Sequence, residues 1–76
     1  MIGQSHDGFT PIDSGHIAGA KYDSFAHQAT IKFKNGYHYA VTGLTPEEYQ
    51  AFLDAPSQGE HFHNTIKNRF QVERVK

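Results

Sequence analysis

The sequence predicts a single small α+β domain, in which a short antiparallel β-meander is followed by two α-helices packed on one sheet face and by a short C-terminal extended segment. Its 76 residues suffice for one hydrophobic core. A strand-like alternation surrounds the dipeptide Asn35-Gly36, and two helix-start signals come after it. Strands followed by helices in one short chain are typical of the α+β class.

The start of the chain differs in composition from the rest. Residues 1–13 are rich in Gly, Ser, Asp and Pro, which favour turns and loops. We therefore expect a flexible N-terminal arm here, ahead of one domain that covers residues 14–76. Phe9 and Ile12 are the side chains able to anchor this arm to a core.

Three segments predict the strands of the meander. Residues 16–22 combine small and apolar side chains, and Asp23-Ser24 after them favours a turn. Apolar and polar side chains alternate over residues 29–34, which is the period of a half-buried strand. Asn35-Gly36 suits the positive φ angles of a type I′ turn. Residues 37–42 then form the returning strand of a hairpin.

Two capping boxes predict the starts of the helices. Thr45 offers a hydroxyl cap, and Glu48 is placed to reach back to it. The helix that they open must end near residue 55, ahead of a proline. Ser57 and Glu60 repeat the pattern for a second helix. The tail, residues 70–75, alternates weakly and predicts a short strand or extended cover.

Charge and composition restrict the classes of function. The formal net charge is -1 and the pI is about 6.6, so no overall field draws the chain to nucleic acid or to an anionic membrane. The sequence has no cysteine, no membrane-spanning apolar stretch and no secretory signal. We expect a cytoplasmic protein without a membrane partner. Because domains this small gain stability by self-association, we also expect a homo-oligomer.

The histidines raise the question of a metal site or a catalytic site. The chain has six of them, and His61 and His63 form the tightest pair. On a helix these two side chains point about 200° apart, so they cannot chelate one ion. We expect no metal and no cofactor. Ser14 and Ser57 lack a nucleophile motif, so we expect no enzyme, and acid–base chemistry at His61 or His63 is the alternative left open.

Aromatic and hydrogen-bonding side chains form a candidate binding surface. Its members are Tyr22, Tyr39, His63, Lys67, Arg69 and Arg74. Rings that stack on bases, beside cations that hold phosphates, indicate a nucleotide or single-stranded RNA site. The alternative is structural, since tyrosines of small domains often belong to the core and cations late in a helix interact favourably with its dipole.

An ordered set of residues gives the chain a resemblance to a known family. The set comprises Ser14, Tyr22-Asp23, Phe33-Lys34-Asn35-Gly36, Tyr37-His38-Tyr39, Pro46, Tyr49, Phe52, Ser57, Gly59, Phe62, Ile66, Arg69-Phe70 and Arg74-Val75. In this order it resembles the KTSC domain, a short module similar to a C-terminal region of some lysyl-tRNA synthetases and common as a stand-alone protein in bacteria and phages. The likeness spans residues 13–76. His63 stands where the family usually has asparagine, and Gln71-Val72 stands in place of its usual Pro-Tyr.

The resemblance implies a fold more firmly than an activity. The synthetase association suggests RNA or nucleotides, and the occurrence in phages suggests a sponge that sequesters the cyclic nucleotide signals of bacterial defence. We therefore expect a non-enzymatic nucleotide-binding protein, most concretely a phage-type sponge for a cyclic di- or oligonucleotide. In this hypothesis Tyr22 and Tyr39 border the base, His63 hydrogen-bonds it, and the three cations of the candidate set meet phosphate. An RNA-binding accessory module and a protein-interaction domain are the alternatives.

Overall fold

The computed structural model describes residues 8–76, which form one five-stranded antiparallel sheet with two helical segments between its last two strands. The strands are β1 (Thr10–Pro11), β2 (Ile17–Asp23), β3 (Gln28–Phe33), β4 (His38–Thr42) and β5 (Gln71–Arg74), and their spatial order is their order along the chain. The helical elements are α1 (Pro46–Asp54), α2 (Gln58–His61), a π-helical turn (Phe62–Ile66) and α3 (Lys67–Arg69). The predicted α+β meander is confirmed, and the C-terminal extended segment is β5, which pairs with β4.

The β3–β4 hairpin turns at Asn35-Gly36, but the predicted type I′ turn is wrong. A type I′ turn requires a positive φ at both central residues. Gly36 has a φ of +95°, but Asn35 does not have a positive φ, since His27 is the one non-glycine residue that does in residues 8–76. The Phe33 N–H donates to the Tyr37 carbonyl at 2.9 Å, which leaves a three-residue loop with a left-handed glycine at its end. The Asn35 side-chain oxygen accepts the Tyr37 N–H at 2.9 Å, and this contact stabilises the longer loop.

Both helical segments begin at the predicted caps. The Thr45 hydroxyl accepts the Glu48 N–H at 3.2 Å, and the Glu48 carboxylate accepts the Thr45 N–H at 3.1 Å, which completes a capping box. The Ser57 hydroxyl accepts the Glu60 N–H at 3.3 Å. In the described chain the Glu60 carboxylate makes no return bond, so this second box is only half formed. Neither helical segment is long and apolar enough to cross a membrane.

The second helical segment is continuous over residues 58–69 but contains an irregular turn. The Lys67 N–H donates to the Phe62 carbonyl five residues back, which widens the helix over Phe62–Ile66. Phe62 and Ile66 at the ends of this turn are both buried against the sheet. The sequence did not predict the π turn, a feature that occurs frequently at functional sites.

The hydrophobic core lies between the helices and one face of the sheet. Its fully buried large side chains are Ile17, Ile31, Val41, Leu44, Phe52 and Ile66. They come from three strands, both helical segments and the β4–α1 connection. The core therefore holds the second helical segment against β3 and β4.

The part of the predicted arm within the described chain contacts the sheet. β1 pairs antiparallel with β2, and Phe9 and Ile12 are buried. Phe9 lies on the face opposite the helices, where the ammonium groups of Lys21 and Lys32 are 4.8 and 4.9 Å from its ring centroid. The rest of the arm, residues 1–7, lies outside the described residues, and the domain boundary at residue 13 stays a prediction.

Candidate functional site

A cleft of about 700 Å³ opens where the loop before β2, the β3–β4 hairpin and the second helical segment meet. This volume lies within the usual range of small-molecule sites. The cleft is lined by Ser14, Gly15, His16, Phe33, Asn35, Tyr39, Ser57, Gly59, Glu60, Phe62, His63, Asn64 and Lys67. Strand pairing and helix packing on the core thus bring three separate parts of the chain to one concave surface.

Three aromatic rings form the floor of the cleft. The Phe33 ring meets Tyr39 edge-on with 5.3 Å between centroids, and it meets Phe62 in the same way at 5.2 Å. Phe62 is buried, whereas Phe33 and Tyr39 are half-buried and expose part of their rings to the cleft. Edge-to-face packing of this kind fixes ring orientations, so the floor is preformed.

The rim of the cleft is polar. At Gly59 the second helical segment lies beside the loop before β2, and an added Cβ would make ordinary contacts of 3.7 Å with the Ser14 Oγ and the His16 ring. The Ser14 Oγ also accepts the His16 N–H at 3.4 Å. On the opposite rim, Asn35 uses its side-chain oxygen for the Tyr37 N–H. Within residues 8–76 the amide N–H groups of Asn35 make no hydrogen bond and remain available to a ligand.

The ionisable groups of the rim come mainly from one helix face. Glu60, His63 and Lys67 follow one another at spacings of three and four residues, so they share a face of the second helical segment. His16 lies across from them at the start of β2. Within the part of the chain that the structure describes, these four side chains make no ion pair or side-chain hydrogen bond. The rim can therefore donate to an anion at several points and accept at Glu60.

The structure brings together three of the six predicted site residues, since Tyr39, His63 and Lys67 all line the cleft. Arg74 lies next to it, because its Cα pairs with that of Tyr39 across β4 and β5. Its guanidinium lies 4.4 Å from the centroid of the Tyr37 ring. The role of Arg74 in binding stays a prediction.

Arg69 and Tyr22 lie outside the lining of the cleft. The Arg69 guanidinium is 3.6 Å from the Glu48 carboxylate and so connects α3 to α1. The Tyr22 ring stacks on Tyr49 at 4.7 Å, and its hydroxyl donates to the Leu44 carbonyl at 2.5 Å. Burial is the main cause that raises the pKa of the Tyr22 hydroxyl, followed by the nearby carboxylates. Both side chains join α1 to the rest of the fold, and their roles in binding stay predictions.

Sequence reasoning missed Ser14, His16 and Asn35 as parts of one site. The available signal was strand order, because the start of β2 must lie beside the end of β3 in an antiparallel pair. The register confirms this neighbourhood, with Ile17 opposite Phe33. Ser14 and His16 are about 20 residues from Asn35 in the sequence, so local patterns did not indicate that they meet.

The histidines do not form a cluster in the described chain. Within residues 8–76 no group of three His, Asp or Glu side chains lies close enough to hold a metal ion. The His61 ring lies 6.1 Å from that of Phe52, whereas His63 lines the cleft. The two histidines therefore have different surroundings despite being two residues apart.

Comparison with known proteins places the chain among small domains of one kind. A family model described as the KTSC domain matches residues 13–70. A crystal structure of a KTSC domain protein from Yersinia pestis superposes with a TM-score of 0.80 and 28% sequence identity, covering 90% of this chain and 96% of that one.

The curated relatives include much longer proteins. A lysine–tRNA ligase from Trichormus variabilis is 32% identical over 65 residues, which are 83% of this chain and 11% of the ligase. The chain thus spans about a tenth of the length of the ligases that it matches. A protein from Tsukamurella paurometabola is 29% identical over 62 residues, which are 82% of this chain and 92% of that protein.

Proposed function

This chain belongs to the KTSC domain family, and we propose that it is a non-enzymatic binding module that holds a nucleotide in the cleft under its second helical segment. The observation that carries the proposal is the preformed aromatic floor of Phe33, Tyr39 and Phe62, surrounded by hydrogen-bonding groups that have no partner within residues 8–76. A base has a flat π-face that stacks on such rings and an edge that requires hydrogen bonds. The half-buried ring of Tyr39 offers both a face and a hydroxyl.

The residues that give the chain its family resemblance support this location. Several of them line the cleft, namely Ser14, Phe33, Asn35, Tyr39, Ser57, Gly59 and Phe62. They come from the three parts of the chain that form the cleft. Asn35, Ser57 and Phe62 also stabilise the hairpin loop, a helix start and the core. A shared use of this surface would also account for their occurrence together.

The cations available to a phosphate are few and local. Lys67 lines the cleft, and Arg74 lies beside Tyr39 on the same sheet face. With a net charge of -1, the chain has no general attraction for nucleic acid. This pattern favours a small nucleotide over a long strand. The volume of about 700 Å³ is near the middle of the range for small-molecule sites, which is compatible with a cyclic di- or oligonucleotide and with a sponge role.

A thermal-shift screen followed by calorimetry tests the proposal. The purified chain is measured with cyclic dinucleotides, cyclic trinucleotides, mononucleotides and a short RNA. We expect a rise of several degrees in the unfolding midpoint with a cyclic species well above its Kd. Recovery of the ligand intact after incubation would support binding without hydrolysis.

Lys67→Gln gives the corresponding test of the site. Loss of a charge-assisted hydrogen bond to phosphate should weaken the affinity about tenfold. Lys21→Gln is the matched control, because it removes the same charge from the opposite face of the sheet, where Lys21 contacts Phe9. Equal effects of the two substitutions would contradict the assignment of the cleft. Affinity for RNA that grows with strand length and falls steeply with salt would favour the RNA-binding alternative instead.

A further inference from the structure

The two opposite charges of the cleft are separated along one wall. Glu60 is the one carboxylate and Lys67 the one ammonium among the described residues that line it. Their positions differ by seven residues, which corresponds to about 10 Å along a helix axis. His63 and Asn64 lie between them on the same wall. The cleft therefore has an acidic end and a cationic end.

The Glu60 carboxylate makes no hydrogen bond or ion pair within the described residues. In α1 the equivalent carboxylate of Glu48 bonds back to the N–H of its cap residue, Thr45. Among the described residues, Glu60 makes no such bond to Ser57 and no salt bridge. Its side chain is exposed at the cleft. An ionised carboxylate only accepts hydrogen bonds, and its two oxygens can accept from two adjacent donors of one planar group.

The edges of the four bases differ in how well they match such an acceptor. Guanine has two adjacent N–H donors on its Watson–Crick edge, at N1 and at the 2-amino group. Adenine and cytosine place an acceptor nitrogen beside their amino group, and uracil places one N–H between two carbonyls. A carboxylate gains two hydrogen bonds from guanine, whereas it meets repulsive lone pairs on the other three bases.

We infer that the cleft selects guanine, with Glu60 accepting hydrogen bonds from N1–H and the 2-amino group and Lys67 meeting a phosphate at the other end. This inference rests on the proposed nucleotide function and names the base that the cleft prefers. The spacing of about 10 Å along the helix axis suits a nucleotide laid along the second helical segment, with its base edge and its phosphate at opposite ends.

The test compares ligands that differ only in their bases. Cyclic di-GMP and cyclic di-AMP have the same backbone and charge, and GMP, IMP and AMP form a second series in which IMP lacks the 2-amino group. By calorimetry, the guanine member of each series should bind about 10- to 100-fold more tightly than the adenine member. IMP should lie between GMP and AMP. In Glu60→Gln the ratio of the guanine affinity to the adenine affinity should fall close to one, because an amide side chain has one oxygen acceptor and one N–H₂ donor group.

Glu47→Gln is the matched control for this substitution. Glu47 lies in the first turn of α1, as Glu60 lies in the first turn of α2, so both substitutions remove one charge from a helix N-terminus. The control should keep the full guanine preference. Equal affinity for guanine and adenine ligands, or an unchanged preference in Glu60→Gln, would overturn the guanine inference and leave nucleotide binding intact. Failure of every nucleotide to bind would overturn both.

Discussion

Gly19 allows β1 to lie close beside β2 in the sheet. A Cβ at this position would lie 3.0 Å from the Thr10 carbonyl oxygen and 3.2 Å from the Phe9 Cβ, so β1 would have to move away. We expect Gly19→Ala to lower the free energy of unfolding by about 1–3 kcal/mol, the usual cost of forcing extra atoms into a packed site. Urea unfolding followed by circular dichroism measures this change.

Gly15→Ala is the control for that substitution. The added Cβ would meet nothing within 4 Å, and Gly15 has no positive φ. Alanine there should leave stability unchanged or raise it slightly, because it restricts the unfolded chain. If Gly19→Ala unfolds at the same urea concentration as Gly15→Ala, the close packing of β1 on β2 does not contribute to stability.

The predicted site shows what residue type alone can and cannot reveal. A tyrosine suits base stacking wherever it occurs, but the ring of Tyr22 is already stacked on Tyr49. An arginine suits phosphate, but Arg69 lies beside the Glu48 carboxylate. Tyr39 is a tyrosine like Tyr22, and Lys67 is a cation like Arg69, but these two line the cleft. The difference comes from neighbours that are distant in sequence, and these are decided only when the sheet and helices pack.

The boundaries of the elements were more accessible from the sequence, because local hydrogen bonds decide them. The cap at Thr45 depends on groups within three residues of it, and it was predicted in full. The loop at Asn35-Gly36 was placed correctly. Its length depends on whether the Asn35 side chain accepts the Tyr37 N–H or the Asn35 backbone adopts a left-handed conformation. The π turn over Phe62–Ile66 has no local signal, since it accompanies the burial of Phe62 and Ile66 against the sheet.

The capping box of α1 should make stability depend on pH. Hydrogen bonds from the Thr45 N–H and hydroxyl, with a smaller effect of Arg69, hold the pKa of the Glu48 carboxyl below its ordinary value of 4.5. Because the folded pKa is the lower one, this stabilisation is present above pH 4.5 and is lost as the pH falls through the folded value. Thermal midpoints measured from pH 7 down to pH 3 should therefore show an acid-dependent decrease.

Glu48→Gln isolates this contribution. Glutamine can still bond back to the cap residue, but it does not titrate. The variant should be slightly less stable than the unaltered chain at pH 7 and should lose less stability between pH 5 and pH 3. Glu73→Gln on β5 is the control, because it removes a carboxylate at an exposed position away from any helix cap. An acid limb of the same size in all three proteins would show that Glu48 does not contribute to it.

The order of β2, β3, β4 and the two helical segments was predictable because each of them carries its own local pattern and the connections are short. The full set of five strands could not be predicted from local pattern alone, since β1 and β5 are short and weakly patterned. Both become strands because a longer neighbour, β2 or β4, offers them a free edge. Self-association was expected from chain size alone and stays a prediction. The contribution of the arm to stability depends on the pairing of β1 with the edge of β2.

Removal of the predicted arm tests how much of the chain the folded unit needs. In the described part of this arm, Phe9 covers one sheet face, Ile12 joins the core and β1 pairs with β2. Burial of each of these two side chains contributes about 2 kcal/mol. The two contributions together are about 4 kcal/mol, so a chain that starts at residue 14 should melt at least about 16 °C lower than the full chain. It should also self-associate more readily, because the edge of β2 becomes exposed.

A chain that starts at residue 8 separates the arm's two parts, since it keeps Phe9, β1 and Ile12. Differential scanning calorimetry and analytical ultracentrifugation of the three lengths give the comparison. If the contacts of β1 stabilise the fold, the chain that starts at residue 8 should melt well above the one that starts at residue 14. If the 14–76 chain melts with the full chain, the boundary predicted at residue 13 is correct and the packing of Phe9 and Ile12 contributes little. In that outcome the domain is held by the packing of its two helical segments on β2–β5 alone.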